Sequence, residues 1–235
     1  MMEWIAFDAD DTLWKNEETY LNGRDVLLEI LSGYGVVVDD PEEFDQLEVN
    51  NIKYYGYGVM SFVLSLIEVA IDLTDAKISP GDIRKLLDLG KVMLAADVEV
   101  FKGVMPLLET LSKRYSLMLI TKGDLFHQQR KIQSSGLGEY FQLIEVVSDK
   151  SSEVYLEILD RYQIDPGQFV MIGNSMRSDI VPVLELGGWA IHLTDHLSWS
   201  HENDFLDDEN KDRFQEVAGI SKVQDALNKL ENRGV

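Results

Sequence analysis

Four apolar residues, Trp4-Ile5-Ala6-Phe7, run without a spacer into Asp8-Ala9-Asp10-Asp11-Thr12. A short apolar run of this kind fits a strand buried on both faces, as in a parallel sheet. It cannot continue through Asp8, Asp10 and Asp11, because ionised carboxylates need water or a cation beside them. The chain must therefore build a buried strand and end it at a polar edge almost as soon as it starts.

The rest of the chain supplies partners for that strand, after a delay. Residues Glu17 to Leu31 carry apolar positions near helical spacing, as do Phe62, Val63, Leu66, Ile67, Ala70 and Ile71, with Val69 and Leu73 widening the stripe. Ser79-Pro80-Gly81-Asp82 reads as a helix start, with Ser79 as N-cap and Pro80 at the first helical position. No strand is expected between Trp14 and Ala96. From Gly103 onward, apolar runs alternate with helical patterns: Leu117–Ile120, Leu143–Val147, Phe169–Ile172 and Trp189–Leu193. Such alternation predicts a Rossmann-like, doubly wound parallel α/β sheet. The expected organisation is a discontinuous α/β core over 1–15 and 98–235, with an inserted helical cap domain over 16–97. The acidic stretch Glu202 to Asp212 reads as a solvated loop, and Val223 to Leu230 as a terminal helix.

Composition narrows the function. Acids outnumber bases 42 to 21, a formal charge of −21, so the surface repels nucleic acid polymers and anionic lipid. A small phosphorylated metabolite is still acceptable, since a divalent cation and a few lysines can reverse the potential in one pocket. The chain has no cysteine, which excludes thiolate chemistry and disulfides and fits a reducing compartment. The longest apolar stretch, Phe62 to Leu73, is interrupted by Ser65, Glu68 and Asp72 and is too short to span a bilayer. No secretory signal is evident, and the expected setting is cytoplasmic. Oligomeric state is left open.

In open parallel sheets, ligands collect outside the carboxyl ends of the strands. Asp8 and Asp10 follow the first apolar run, Thr121 and Lys122 the second, and Lys150 comes three residues past Val147. Gly173-Asn174-Ser175 and then Asp179 follow the fourth. Carboxylates, a hydroxyl, lysines and an amide on one edge make an inventory for binding phosphate together with magnesium.

With these residues the chain resembles the haloacid dehalogenase-like superfamily of phosphohydrolases. The Asp-x-Asp-x-Thr motif stands as Asp8 to Thr12, the second motif as Thr121, the third as Lys150 and the fourth as Gly173 to Asp179. The resemblance implies a magnesium-dependent phosphatase in which Asp8 attacks phosphorus to give an aspartyl-phosphate. Asp10 would serve as general acid and then base, a task favouring a raised pKa. Thr121, with the backbone N–H groups of Lys122 and Gly123, would bind phosphate, and Lys150 would neutralise it while holding Asp8. Mg2+ would be held by Asp8, the backbone carbonyl of Asp10, and Asn174 or Asp179. The family often places an acid at the position of Asn174, so this site brings less charge.

Other readings use the same residues. A metal-independent 2-haloacid dehalogenase needs the nucleophile but usually lacks the second aspartate, so Asp10 counts against it. A phosphomutase shares the aspartyl-phosphate, and a catalytically inactive regulatory homologue is the reading Asn174 alone favours. Tyr54, Tyr55 and Tyr57 read as packing rather than substrate contacts. His196, His201 and Trp199 read as surface or packing residues, because no third ligand stands at metal-binding spacing.

Overall fold

The structure, a computed structural model, describes residues 2–38, 41–194, 202 and 208–233. In chain order the principal elements are β1 (Trp4–Phe7), α1 (Glu17–Ser32), α2 (Pro41–Tyr55), α3 (Val59–Leu73), α4 (Pro80–Ala95) and α5 (Val104–Leu111). There follow β2 (Ser116–Lys122), α6 (Leu125–Ser135), β3 (Leu143–Val147), α7 (Ser152–Tyr162), β4 (Phe169–Gly173), α8 (Val181–Glu185), β5 (Trp189–Leu193), β6 (Phe214–Val217) and α9 (Val223–Glu231). The chain divides into two compact units, one of residues Met1–Lys15 and Val98–Val235, the other of Asn16–Asp97.

The first unit is built on a six-stranded parallel sheet in the order β3-β2-β1-β4-β5-β6. Strand alternation divides its two apolar faces. Ile5, Phe7, Leu117, Leu119, Val170 and Ile172 face a core closed by Val104 and Leu108 of α5 and Val223 and Leu227 of α9. Ala6, Met118, Ile120 and Met171 point the other way, onto Tyr155, Ile158 and Leu159 of α7. Helices thus cover both faces, which is why β1 and β4 read as unbroken apolar runs. β1 lies between β2 and β4, where the strand order reverses, and the crevice of a doubly wound sheet opens at that point.

The second unit is helical, with a core of Leu27 and Leu31 from α1, Phe62, Val63 and Leu66 from α3, and Leu86 and Met93 from α4. The Ser79 hydroxyl accepts a hydrogen bond from the Asp82 N–H at 3.1 Å, so the α4 start read from sequence is a true N-cap. Gly90 lets α4 approach α3: a Cβ there would meet Val63 Cγ2 at 2.8 Å.

Several expectations change. β6 was not expected at all; Phe214-Gln215-Glu216-Val217 is too polar to read as a strand and forms by pairing with β5 at the sheet edge. The acidic stretch after Glu202 is not simply a solvated loop. Asp208–Arg213 is a 3₁₀ helix, and Glu202 is buried. Tyr54 and Tyr55 are exposed rather than packed, the first 73% accessible, with Lys53 over its ring. His196, Trp199 and His201 lie outside the described residues.

Candidate active site

Asp8 directly follows β1, and its N–H donates to the carbonyl of Ile172 on β4 at 2.9 Å. That bond pins the residue at the mouth of the β1–β4 crevice. Beyond it the chain turns sharply: Asp11 adopts a left-handed conformation (φ 56°), and the N–H of Leu13 reaches back to the carbonyl of Ala9 at 2.8 Å. The turn ends on Trp14, which is fully buried.

Asp8 and Asp10 are held by different cations. The Lys150 ammonium lies 2.5 Å from Asp8 Oδ1 and 2.7 Å from Asp179 Oδ1, and all three side chains are buried. Asp179 Oδ2 accepts the Ser175 N–H at 3.0 Å, so both of its oxygens are engaged. One ammonium between two buried carboxylates leaves an uncompensated negative charge. Burial accordingly pushes the Asp8 carboxyl up to about 7; Lys150 pulls it down, while Asp179 and Asp10 add to the rise. Lys150 itself is driven well above its ordinary value, because the attraction of Asp179 and Asp8 outweighs its burial.

Asp10 corrects an expectation. Its carboxyl lies below the ordinary carboxylate value, not above it. Burial alone would raise it, but Lys131 Nζ lies 2.6 and 2.7 Å from its two oxygens, and Gln128 Nε2 and Trp14 Nε1 donate at 2.9 and 2.6 Å. These donors favour the ionised form more than burial disfavours it. Neither Gln128 nor Lys131 stood out in the sequence. The available signal was polar residues on the buried face of α6, where His127, Gln128 and Lys131 are all inward.

Thr121 occupies the end of β2 and is 1% exposed, one strand from Asp8. The neighbouring Lys122 does not present its ammonium as a phosphate ligand. Its Nζ is 2.5 Å from Glu202 Oε1 and 2.8 Å from Ser178 Oγ. Nor is the Gly123 N–H available for phosphate, since it donates to the carbonyl of Val147 at 3.0 Å. Glu202 is the other residue missed from sequence. Its second oxygen accepts from Ser175 Oγ at 2.5 Å and Ser178 Oγ at 2.6 Å. Burial works against its ionised form, yet Lys122 and the two serines hold the carboxyl down at about 2. No local signal marked it within an acid-rich stretch.

Asn174 Oδ1 accepts a hydrogen bond from the buried Thr12 hydroxyl at 3.1 Å. A carbonyl oxygen has two acceptor positions, so this side chain has capacity for a second partner. Asp8, Asn174 and the excess negative charge form an all-oxygen set with few acids. Among the described residues no group of three or more His, Cys, Asp or Glu side chains is arranged to hold a metal. Magnesium suits such a set, because it prefers oxygen and keeps several of its waters.

Residues 2–184 match the family profile described as haloacid dehalogenase-like hydrolase. The chain belongs to that family, and is thus a hydrolase. It is 30% identical over 197 residues to N-acylneuraminate-9-phosphatase of Rattus norvegicus, covering 78% of each chain. It is 24% identical over 229 residues to glyceraldehyde 3-phosphate phosphatase of Methanocaldococcus jannaschii, covering 94% of this chain and 98% of that one. The crystal structure of a haloacid dehalogenase-like family hydrolase from Xanthomonas campestris superposes with a TM-score of 0.87 at 39% identity, over 99% of this chain and 93% of that one. Among the described residues no helix is long and apolar enough to cross a membrane.

Proposed function

We propose that this hydrolase is a magnesium-dependent phosphatase that cleaves a small phosphomonoester through an aspartyl-phosphate on Asp8. The observation that carries the reading is the placement of Asp8 at the β1–β4 switch point, 2.5 Å from the Lys150 ammonium, with Thr121 at the adjacent strand end. The phosphatase names of two relatives support it.

In this reading an Asp8 oxygen attacks phosphorus and the bond from phosphorus to the leaving oxygen breaks; Asp10, ionised at rest, takes the proton of the incoming phosphomonoester monoanion and passes it to that oxygen. Water then attacks the same phosphorus while Asp10 takes the water proton, and the bond to Asp8 breaks. Lys150 keeps the Asp8 carboxylate aimed and offsets phosphate charge, and Thr121 offers a hydroxyl to a phosphate oxygen. Asp8, the Asp10 backbone carbonyl, and Asn174 or Asp179 are the groups we assign to magnesium, each side-chain oxygen having an acceptor position left beside its protein partner. When bound, the cation neutralises charge developing on the transferred phosphoryl group. We read residues 16–97 as a domain inserted into this catalytic unit, and the cytoplasm as the place of action.

The test is a panel of phosphomonoesters with magnesium, scored by released phosphate. It includes p-nitrophenyl phosphate, sugar phosphates, phosphoglycolate, nucleoside monophosphates, and the N-acylneuraminate and glyceraldehyde phosphates that the relatives' names point to. Phosphate release from at least one member is expected. Silence across the panel, or halide release from a 2-haloacid without magnesium, would overturn the proposal.

A further inference from the structure

We infer that Lys131, assisted by Gln128, is a positioning residue that fixes the acid–base carboxylate of Asp10 beside the phosphate-binding strand end. The inference rests on the phosphatase reading and deepens it. Both residues come from α6, three apart and therefore on one face, and that face is turned inward: Lys131 is 8% exposed and Gln128 3%. Gln128 joins two parts of the site, because its Nε2 donates to Asp10 Oδ2 at 2.9 Å and to the Lys122 backbone carbonyl, also at 2.9 Å. Gly123 closes around this amide; a Cβ there would meet Gln128 Nε2 at 3.1 Å. Asp10 is thereby tied to the β2 end that carries Thr121.

A lysine on the buried face of a helix is expensive for the fold. Its desolvation consumes much of what its ion pair contributes, and an apolar side chain of similar size is often as stabilising. The burial of Lys131 is therefore better explained by what it does to Asp10 than by packing. Its ammonium spans both carboxylate oxygens, and Trp14 Nε1 adds a third direction at 2.6 Å. The carboxylate cannot rotate without breaking several charge-assisted bonds. Because one ammonium reaches both oxygens, it can keep hold of one while the other gives or receives a proton. A fixed acid–base group is what two successive proton transfers at one phosphorus require.

The experiment compares kcat/KM for two monoesters with magnesium present. p-Nitrophenolate departs without a proton, whereas an alkoxide needs one, so only the alkyl ester depends on the acid in the first step. Lys131→Met is expected to lower kcat/KM on the alkyl ester by about 100-fold, at least about tenfold more than on p-nitrophenyl phosphate. Lys131→Arg should recover part of the loss, and Gln128→Met should show the same alkyl-selective pattern at a smaller size. Equal losses on both esters, or a change confined to KM, would mark Lys131 as merely structural and overturn the inference. If Lys131→Met does not fold, the alkyl-to-aryl ratio of Gln128→Met decides in the same way. Asp10→Asn is run in parallel. Should it lack alkyl selectivity, the acid–base reading of Asp10 fails; should it keep selectivity while the Lys131 and Gln128 variants show none, only the positioning role fails.

Discussion

The carboxylate of Asp179 is packed against Gly173, so closely that a Cβ at position 173 would fall 2.2 Å from its Oδ2 and 2.4 Å from its Cγ. The consequence runs through the site, because Asp179 holds Lys150 and Lys150 holds Asp8. Gly173→Ala must displace Asp179 and leave the buried ammonium with one carboxylate instead of two. We expect a stability loss of about 3 kcal/mol and a fall in phosphate release of about 100-fold or more. Urea unfolding and steady-state kinetics on the same preparation would check this, and a variant with parental activity would show that the contact is dispensable.

Asp8→Asn removes the proposed nucleophile and should abolish phosphate release. The same substitution has a signature in stability. The Asp8 carboxyl is raised from 3.8 to about 7 in the folded protein, so the folded state binds more protons than the unfolded chain between those values. Folding therefore loses stability as pH rises through that window, and the loss levels off above about 7. A permanently neutral asparagine escapes it. In chelator, the stability of Asp8→Asn relative to the parent should improve by roughly 2–4 kcal/mol between about pH 4 and pH 7. A difference that stays flat across that range would mean the buried charge is compensated in the parent.

Glu202 behaves in the opposite sense. Its folded value of about 2 lies below the ordinary 4.5, so its contribution is fully present above about 4.5 and disappears as pH falls towards 2. Glu202→Gln leaves Lys122 without its carboxylate and should cost on the order of 3 kcal/mol near pH 7. The deficit should shrink as the parent is acidified towards about pH 3. Chemical denaturation at the two pH values measures it, and an unchanged deficit would rule out the ion pair as its source.

Magnesium removal is expected to stop turnover reversibly, with activity returning on adding the ion. Because the cation favours ionised Asp8, binding should release a proton near neutral pH and weaken as the solution is acidified below about 7. Titration calorimetry in two buffers of different ionisation heat reads the proton directly. Asn174→Asp adds a charge to the oxygen set and should tighten magnesium binding by about tenfold. Weaker binding in that variant would place the ion away from position 174.

Much of the parallel sheet can be read locally. Trp4–Phe7, Leu143–Val147 and Trp189–Leu193 are strands with the expected ends; for Trp4–Phe7 the reason is that a strand buried on both faces must be continuously apolar and must stop where a carboxylate follows. Ser79 caps α4 through a bond to Asp82 only three residues away, which any chain with that tetrapeptide can make. β6 is different. Its four residues include Gln215 and Glu216 and become a strand only because β5 offers an edge.

The order of the strands is decided by tertiary pairing. That Asp8, Thr121, Lys150 and Asp179 each stand at or beyond the carboxyl end of a strand follows from apolar runs and what terminates them, a pattern carried by short-range sequence. What each charged side chain pairs with does not. Lys131 reaches Asp10 across 121 residues of chain, and Lys122 reaches Glu202 across 80. A lysine or glutamate has the same appearance in a sequence whether solvated or buried. Only the packing of α6 against the β1 turn, and the seating of Glu202 among Lys122, Ser175 and Ser178, removes water from these groups and makes their partners obligatory.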